Sequence, residues 1–414
     1  MKSTLIYKNT DFLKIWLGKI ILLTGNQFSA LVIPWIVLHQ THSPLTTALI
    51  TICSQIAPVI FALPAGTFIE RRNKKQVVIL SDAVRVLTML VMIFLAYHDW
   101  LSITALAVLM SVLGFAGLTQ RISFNSMIPA LVGRKNLLNA HNYLEGADAV
   151  SLLIGPVLAG LVLTHYGIVY TLSIEMVAIT LSLLSVLLIT NTAQYDPPAE
   201  LRLMTRGIRG FIQDIHEGFG YILNHPIQRL MTMYHFSLNF TAVFISLMIV
   251  IYSQQQLKLD VVQAGLLMTG MGIGNLIGVF LLSRIQHWNW HLLLSLTLAI
   301  SGIGITLIMV SQQFAVAFIG AMLFDGGLSM AFVVHGSLSQ AITSDRYLAR
   351  ISSTRYVISS IASVIGTAIA GLISEYVSST FAMLFSIVLI MLTVLLIMFN
   401  RLNKQAISAL KPID

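Results

Sequence analysis

Charge is scarce in this sequence: 10% of its 414 residues are Asp, Glu, Lys or Arg, while 57% are hydrophobic. Soluble domains carry about 25% charged residues, so a water-soluble fold is excluded; it could not cover that much apolar surface. The single cysteine, Cys53, lies inside an apolar run, which excludes an intrachain disulfide and says nothing of redox compartment. There is no glycine-rich loop followed by Lys and Ser or Thr, so an ATP-driven cycle has no place to bind its phosphates. No Ser/His/Asp or His/Glu cluster at one depth supports a membrane-embedded enzyme, and no cofactor or metal-ligand set is present. His235 and Asn239 have the one-turn spacing of a ligand pair, but a side-chain amide suits transition metals poorly. The formal charge of +8 does not point to nucleic acid, because Lys and Arg are gathered neither on one periodic face nor in a tail. No cleavable signal peptide is expected, since the first eleven residues lead straight into a full-length apolar run. The tail after Arg401 is too short for the soluble output domain of a sensor.

What the chain has in abundance is long apolar runs. A hydrocarbon core of about 30 Å needs roughly 20 residues of helix, and such runs fall at 13–38, 46–69, 76–97, 101–121, 137–164, 167–190, 227–252, 260–284, 289–310, 314–342, 346–373 and 379–400. They predict an all-α membrane protein with twelve transmembrane helices in two six-helix pseudo-symmetric bundles, 1–190 and 227–400, followed by a tail, 401–414. Between the bundles, 191–226 is the one long polar interruption. Pro197-Pro198 ends the preceding helix, and Ile208, Phe211, Ile212, Ile215, Phe219 and Ile222 recur at helical spacing opposite Arg206, Arg209, Asp214 and Glu217. That pattern predicts an amphipathic helix at the membrane surface. Lys and Arg collect at alternate connections, with Lys258 the exception, which predicts both termini on the cytoplasmic side of a plasma (inner) membrane. Trp35 and Trp100 would mark the outer interface, and Trp16, Trp288 and Trp290 the inner one.

The halves also repeat. Gly155-Pro156-Val157-Leu158-Ala159-Gly160 has a counterpart 211 residues later (155 to 366) in Gly366-Thr367-Ala368-Ile369-Ala370-Gly371, and Gly66 and Arg72 pair at nearly that shift with Gly278 and Arg284. Equal span numbers per half give the repeats the same orientation, related by an axis along the membrane normal. After the second span, Gly66-Thr67-Phe68-Ile69-Glu70-Arg71-Arg72-Asn73-Lys74-Lys75 resembles the signature loop of the major facilitator superfamily. Glu70 stands where that family usually has Asp, and Asn73 where it usually has Gly, a mild change in a left-handed turn because Asn tolerates one nearly as well. The Gly155-Pro156 stretch resembles the fifth-helix motif of antiporters in that family. Trp16-Leu17-Gly18 with Gly25-Asn26-Gln27, Ser81-Asp82-Ala83-Val84-Arg85, Ile128-Pro129-Ala130-Leu131-Val132 and Leu137-Leu138-Asn139-Ala140 resemble the branch with macrolide efflux proteins and the enterobactin exporter.

The resemblance implies alternating access, in which a few charge-assisted bonds at the cytoplasmic ends bias the equilibrium. Gly66, Glu70, Arg71, Arg72, Asp82, Arg85 and Arg355 are the gating candidates; fixing topology is the plainer role for such charges, and the one assigned to Lys74 and Lys75. Gly155, Pro156 and Gly160 allow close helix approach and a kink, as the ladder Gly270, Gly274, Gly278 allows approach in the eighth span. Acids at membrane depth are costly, about 2.5–3.5 kcal/mol on insertion scales, and mark function. Glu145 with Asp148, Asp325 and Glu175 are therefore proton-coupling candidates, the alternative being a carboxyl bonded to a neighbouring helix. Asn26, Gln27, Gln55, His235, Asn239 and His335 are substrate-cavity candidates or interhelical hydrogen-bonding groups. Relatives in the family often carry an acid at the position of Asn26, so any proton-carrying role here moves elsewhere. These expectations combine into a monomeric, proton-coupled exporter of a small amphipathic, drug- or macrolide-like compound that needs the lipid bilayer, no cofactor and no nucleic acid. The alternatives are a siderophore exporter and a lysolipid or lipid translocator on the same fold. Few buried bases, Lys19, Arg121 and the histidines, favour neutral or cationic ligands over an anionic siderophore.

Overall fold

The computed structural model describes residues 9–70, 72–133, 136–189, 208–285, 288–343 and 348–399. Among them all regular elements are helices. In chain order these are α1 (Thr10–Thr41), α2 (Pro44–Glu70), α3 (Lys74–Tyr97), α4 (Ile103–Val132), α5 (Leu137–Leu187), α6 (Ile208–Asn224), α7 (Pro226–Gln255), α8 (Val261–Ile285), α9 (Trp290–Val310), α10 (Phe314–Ala341), α11 (Leu348–Tyr376) and α12 (Ser379–Met398). Ten helices among the described residues are long and apolar enough to cross a membrane. Their outer faces agree: on α12, Phe381, Val388, Met391, Leu392, Leu395 and Leu396 are all exposed. A file of large apolar side chains of that length suits a hydrocarbon solvent, where helices also satisfy their own backbone groups. The tail 401–414 and the linker up to residue 207 lie outside the described residues.

Local chemistry sets the helix ends. The Asn73 side chain accepts from the Gln76 N–H and caps α3, with Asn73 itself at φ −63°, ψ 114°. The expected left-handed turn is therefore absent at this position; Asn is useful here as an N-cap. Ser102 and Ser378 cap α4 and α12 in the same way. Lys75 does more than fix topology: it is buried, and its Nζ donates to the Ile189 carbonyl at 2.7 Å, just past the end of α5, where a cation meets the negative end of the helix dipole. Of the predicted interfacial tryptophans, Trp100 is exposed, whereas Trp35 and Trp290 are buried and fill space between helices.

The chain forms two compact units, Met1–Val37 with Ile50–Arg209, and Leu38–Leu49 with Gly210–Asp414. Leu38–Leu49 groups with the second because the Glu375 carboxylate accepts bonds from Ser43 Oγ and the Leu45 N–H, and Gly371 packs against Ala48.

In the first unit, α5 is a hairpin. Trp16 Nε1 donates to the Tyr143 carbonyl, Ser151 Oγ to the Ile20 carbonyl, and Gly155 lies against the Gln27 side chain, so 137–166 rises in step with α1. Beyond it the order inverts: Gly18 lies against Ser185 and Gly25 against Ala178, so 168–187 runs antiparallel to α1. The chain turns back at Gly167, whose φ of 79° and ψ of −177° break the helix. Such a φ favours glycine. Pro156, the expected kink, keeps helical dihedrals; Gly167 is the one non-helical residue inside α5.

In the second unit the expected ladder is real. Gly270, Gly274 and Gly278 of α8 face Phe318, the Met322 carbonyl and the Gly326 carbonyl of α10, so the two helices run parallel with backbones in contact. On its other side α10 meets α9 where Gly304 faces Gly320 and Gly327 faces the Thr297 carbonyl, and the buried Ser301 Oγ donates to the Phe324 carbonyl at 3.0 Å. The repeat has a geometric counterpart too: Gly155 packs on α1 near Gln27 and Gly366 packs on α7 at Phe240, each on the first long helix of its own half.

Candidate functional site

Each unit holds a polar cavity. That of the first unit is about 520 Å³. Its wall is made by single faces of four helices: Lys19, Leu23 and Asn26 of α1, Arg85 of α3, Gly117, Gln120, Arg121 and Phe124 of α4, and His141, Leu144, Glu145 and Asp148 of α5. The i, i+4, i+7 spacing on α1 and the i, i+3, i+4, i+7 spacing on α5 aim these side chains to one side. Arg85 is the hub. Its Nη1 donates to Asp82 Oδ1 at 3.3 Å and its Nη2 to Asn26 Oδ1 at 2.7 Å, joining α3 to α1. Asp82 is 0% exposed, and its Oδ2 is buried with no partner. Lys19 Nζ sits 4.9 Å from the centre of the Phe124 ring and interacts electrostatically with Asp148. Three cations, Lys19, Arg85 and Arg121, thus stand with three acids, Asp82, Glu145 and Asp148. Glu145 and Asp148 are exposed and face the cavity, so water and protons can reach them.

The cavity of the second unit is about 320 Å³. His235 of α7, His335 and Ser339 near the end of α10 with Thr343 just beyond it, and the stripe Ile351, Arg355 and Ser359 of α11 form most of it. The His235 and His335 rings stack with centres 5.2 Å apart. His235 Nε2 pairs with Ser359 Oγ at 2.6 Å, and His335 Nε2 with the Met231 carbonyl at 2.8 Å. Arg355 Nη2 donates to Gln228 Oε1 at 3.2 Å, and Gln228 Nε2 donates to Thr343 Oγ1 at 3.0 Å.

Several expected residues therefore converge: Asn26, Arg85, Glu145 and Asp148 in one cavity, His235, His335 and Arg355 in the other. Asn239 is tied to His235 through its backbone carbonyl at 2.8 Å. Others lie elsewhere. Gln27 packs on Gly155, Glu175 is buried and accepts from Ser29 Oγ at 2.9 Å, and Asp325 takes its side-chain hydrogen bond from Asn275. Arg355, a gating candidate, donates to Gln228 within the second unit. Gln55 lies on α2 and does not line the first-unit cavity, and Arg72 is exposed just before α3. Gly155, Pro156 and Gly160 are buried in α5. Arg71 and the side-chain surroundings of Gly66 and Glu70 lie outside the described residues. Gln120, Asn125, His141, Gln228 and Thr343 were not singled out from sequence; the four-residue spacing of Lys19 to Leu23 and of Arg121 to Asn125 carried the available signal. No group of three or more metal-ligating side chains occurs among the described residues.

The family model for the Major Facilitator Superfamily matches residues 15–300 and 230–411. An uncharacterized MFS-type transporter of Bacillus subtilis, YvqJ, is 21% identical over 371 residues, covering 90% of this chain and 87% of that one. Macrolide efflux protein A of Streptococcus pyogenes is 19% identical over 95% of this chain and 96% of its own. Among solved structures, a bacterial homolog of the human lysosomal transporter Spinster, inward-facing and unoccupied, is similar with a TM-score of 0.69 at 13% identity, covering 94% of this chain and 96% of that one.

Proposed function

Because the chain belongs to the Major Facilitator Superfamily, a family of multi-pass membrane transporters of small molecules, we propose that it is a proton-coupled secondary exporter of a small amphipathic compound, working by alternating access. The observation that carries the coupling is the first-unit cavity. Glu145 and Asp148 line it from α5 opposite Lys19, so a proton gained or lost on either carboxyl changes the balance of a charge cluster that is otherwise even. Glu175 and Asp325, each bonded to a neighbouring helix, take the interhelical role. Macrolide efflux protein A supports the drug- or macrolide-like cargo. Twelve crossings follow in this reading: ten apolar helices, one more from the reversal at Gly167, and α2, whose 27 residues reach across a bilayer. They fall into bundles 1–190 and 227–400 joined by 191–226, in a monomer of the plasma (inner) membrane with both termini cytoplasmic. The charge-assisted contacts around Asp82 and Arg85 belong to the conformational machinery of the first bundle.

Purified protein in proteoliposomes with an imposed pH difference tests this. One pH unit stores about 1.4 kcal/mol per proton, enough for roughly tenfold accumulation in one-for-one exchange. Radiolabelled erythromycin is expected to accumulate against the proton flow with the wild type. The Glu145→Gln/Asp148→Asn double variant is expected to equilibrate erythromycin without accumulating it. Accumulation undiminished in the double variant would move coupling away from α5.

A further inference from the structure

Among the described residues the two cavities differ in one respect that bears on the ligand: the first balances its charges and the second does not. Arg355 is the permanent cation on the second wall, and none of the described residues lining that wall is an acid. Its hydrogen-bond partner, Gln228 Oε1, is a neutral acceptor, while Arg355 Nε is buried with no acceptor among the described residues. Gln228 has nothing further to give. It is 0% exposed, and its amide nitrogen is committed to Thr343, which fixes its oxygen toward Arg355. The opposite wall adds the stacked His235 and His335, and His235 Nδ1 is likewise buried without a partner. Arg355 is half-buried, and a guanidinium partly withdrawn from water favours a negative charge beside it, its planar fork being shaped to take two oxygens of one anion.

We propose that this cavity binds the anionic group of a small ligand, a carboxylate or a phosphate, on the Arg355 guanidinium, a ligand distinct from the macrolide-like cargo. That such a ligand acts on a transporter rests on the reading above; the chemistry of the site does not. A volume of about 320 Å³ lies at the low end of small-molecule sites, which run from about 300 to 1,000 Å³, and admits a charged head with a ring or short chain. Arg355 thereby becomes a binding residue as well as, or instead of, a gating one. The scarcity of buried bases read from sequence no longer disfavours anions, because a half-buried base with no acid beside it among the described residues outweighs several that are paired.

The test is equilibrium binding of three radiolabelled probes that share one ring, benzoate, benzamide and benzylamine, to the full chain in phosphatidylcholine nanodiscs. Benzoate is expected to bind at least roughly tenfold more tightly than the other two. Arg355→Gln is expected to abolish that preference while leaving thermal stability equal or higher, since it removes an uncompensated charge. Arg355→Lys keeps the charge without the fork and is expected to keep the order of the probes at reduced affinity, which decides the matter even if Arg355→Gln does not fold. Equal binding of benzoate and benzamide by the wild type, absence of benzoate binding, or an undiminished preference in Arg355→Gln would each overturn the proposal. Repeating the titration with phosphatidylglycerol in the nanodisc separates two sources of the same chemistry: weakened benzoate binding assigns the site to a lipid headgroup, unchanged binding to a soluble ligand. No gradient is involved, so failure here with intact erythromycin accumulation removes only the anion site, and the converse removes only the coupling.

Discussion

Arg85→Met is expected to destabilise the protein by about 3–5 kcal/mol, the usual cost of removing one member of a buried ion pair. Asp82 is fully buried, and the Arg85 Nη1 bond at 3.3 Å satisfies only one of its oxygens, the other being without a partner already. Removing the guanidinium leaves a carboxylate with no countercharge at bonding distance among the described residues. It also strips Asn26 Oδ1 of the donor, at 2.7 Å, that ties α1 to α3. The double variant Arg85→Met/Asp82→Leu discards both charges and is expected to recover most of the loss, because an apolar pair of similar size is often as stable as the ions it replaces. Unfolding of the purified protein, read through the double-mutant cycle, measures this. Single variants whose effects simply add would show that the pair is not coupled, and that the contact between α1 and α3 rests on apolar packing alone.

Hydropathy made the apolar runs legible, because lipid-facing helices must be apolar whatever they pack against. It also separated 137–164 from 167–190, and the structure adds the cause: Gly167 reverses the chain so that 168–187 returns antiparallel to α1. The small-residue ladder of α8 was legible for a similar reason, since glycine at four-residue spacing has few uses in a helix other than close approach. Less could be read about polar residues. Asn73 reads as a turn residue by family resemblance and acts as a helix cap; Lys75 reads as a topology signal and is buried against the end of α5. Trp290 has the amphipathic character of an interfacial anchor, yet it is almost wholly buried. For each of these, the deciding partner is distant in sequence. Arg355 shows the limit most clearly: nothing local says that it will donate to Gln228, or that the described residues of its cavity wall will include no carboxylate. The convergence of Glu145 and Asp148 was readable from their spacing on one helix, but their meeting with Lys19 and Arg121 needed the packing of α1 and α4 against α5.

Gly274→Leu is expected to prevent the second unit from assembling, with no monodisperse folded protein recovered from membranes, and Gly274→Ala to cost about 1–3 kcal/mol or more as an overpacked contact. A Cβ at Gly274 would fall onto the Met322 carbonyl, and one at Gly278 onto the Gly326 carbonyl; both obstacles are backbone of α10, which cannot rotate aside as a side chain can. Gly270 is the milder position of the three, because its neighbour is the Phe318 ring at 3.0 Å, which has room to tilt. Nor can α10 retreat from α8, since Gly304 and Gly327 already place its other side against the backbone of α9 and its neighbours. Gly146 and Gly336 supply the contrast: both are helical, and a Cβ at either meets nothing within 4 Å. Alanine at those positions is expected to be neutral or to stabilise by up to about 1 kcal/mol through helix propensity. The expected order of thermal stability in detergent is Gly146→Ala and Gly336→Ala at or above wild type, then Gly270→Ala, then Gly274→Ala and Gly278→Ala. If Gly274→Ala behaved like Gly146→Ala, the backbone contact between α8 and α10 would be wrong, and with it the placement of His335 at the far end of α10, on which the second cavity depends.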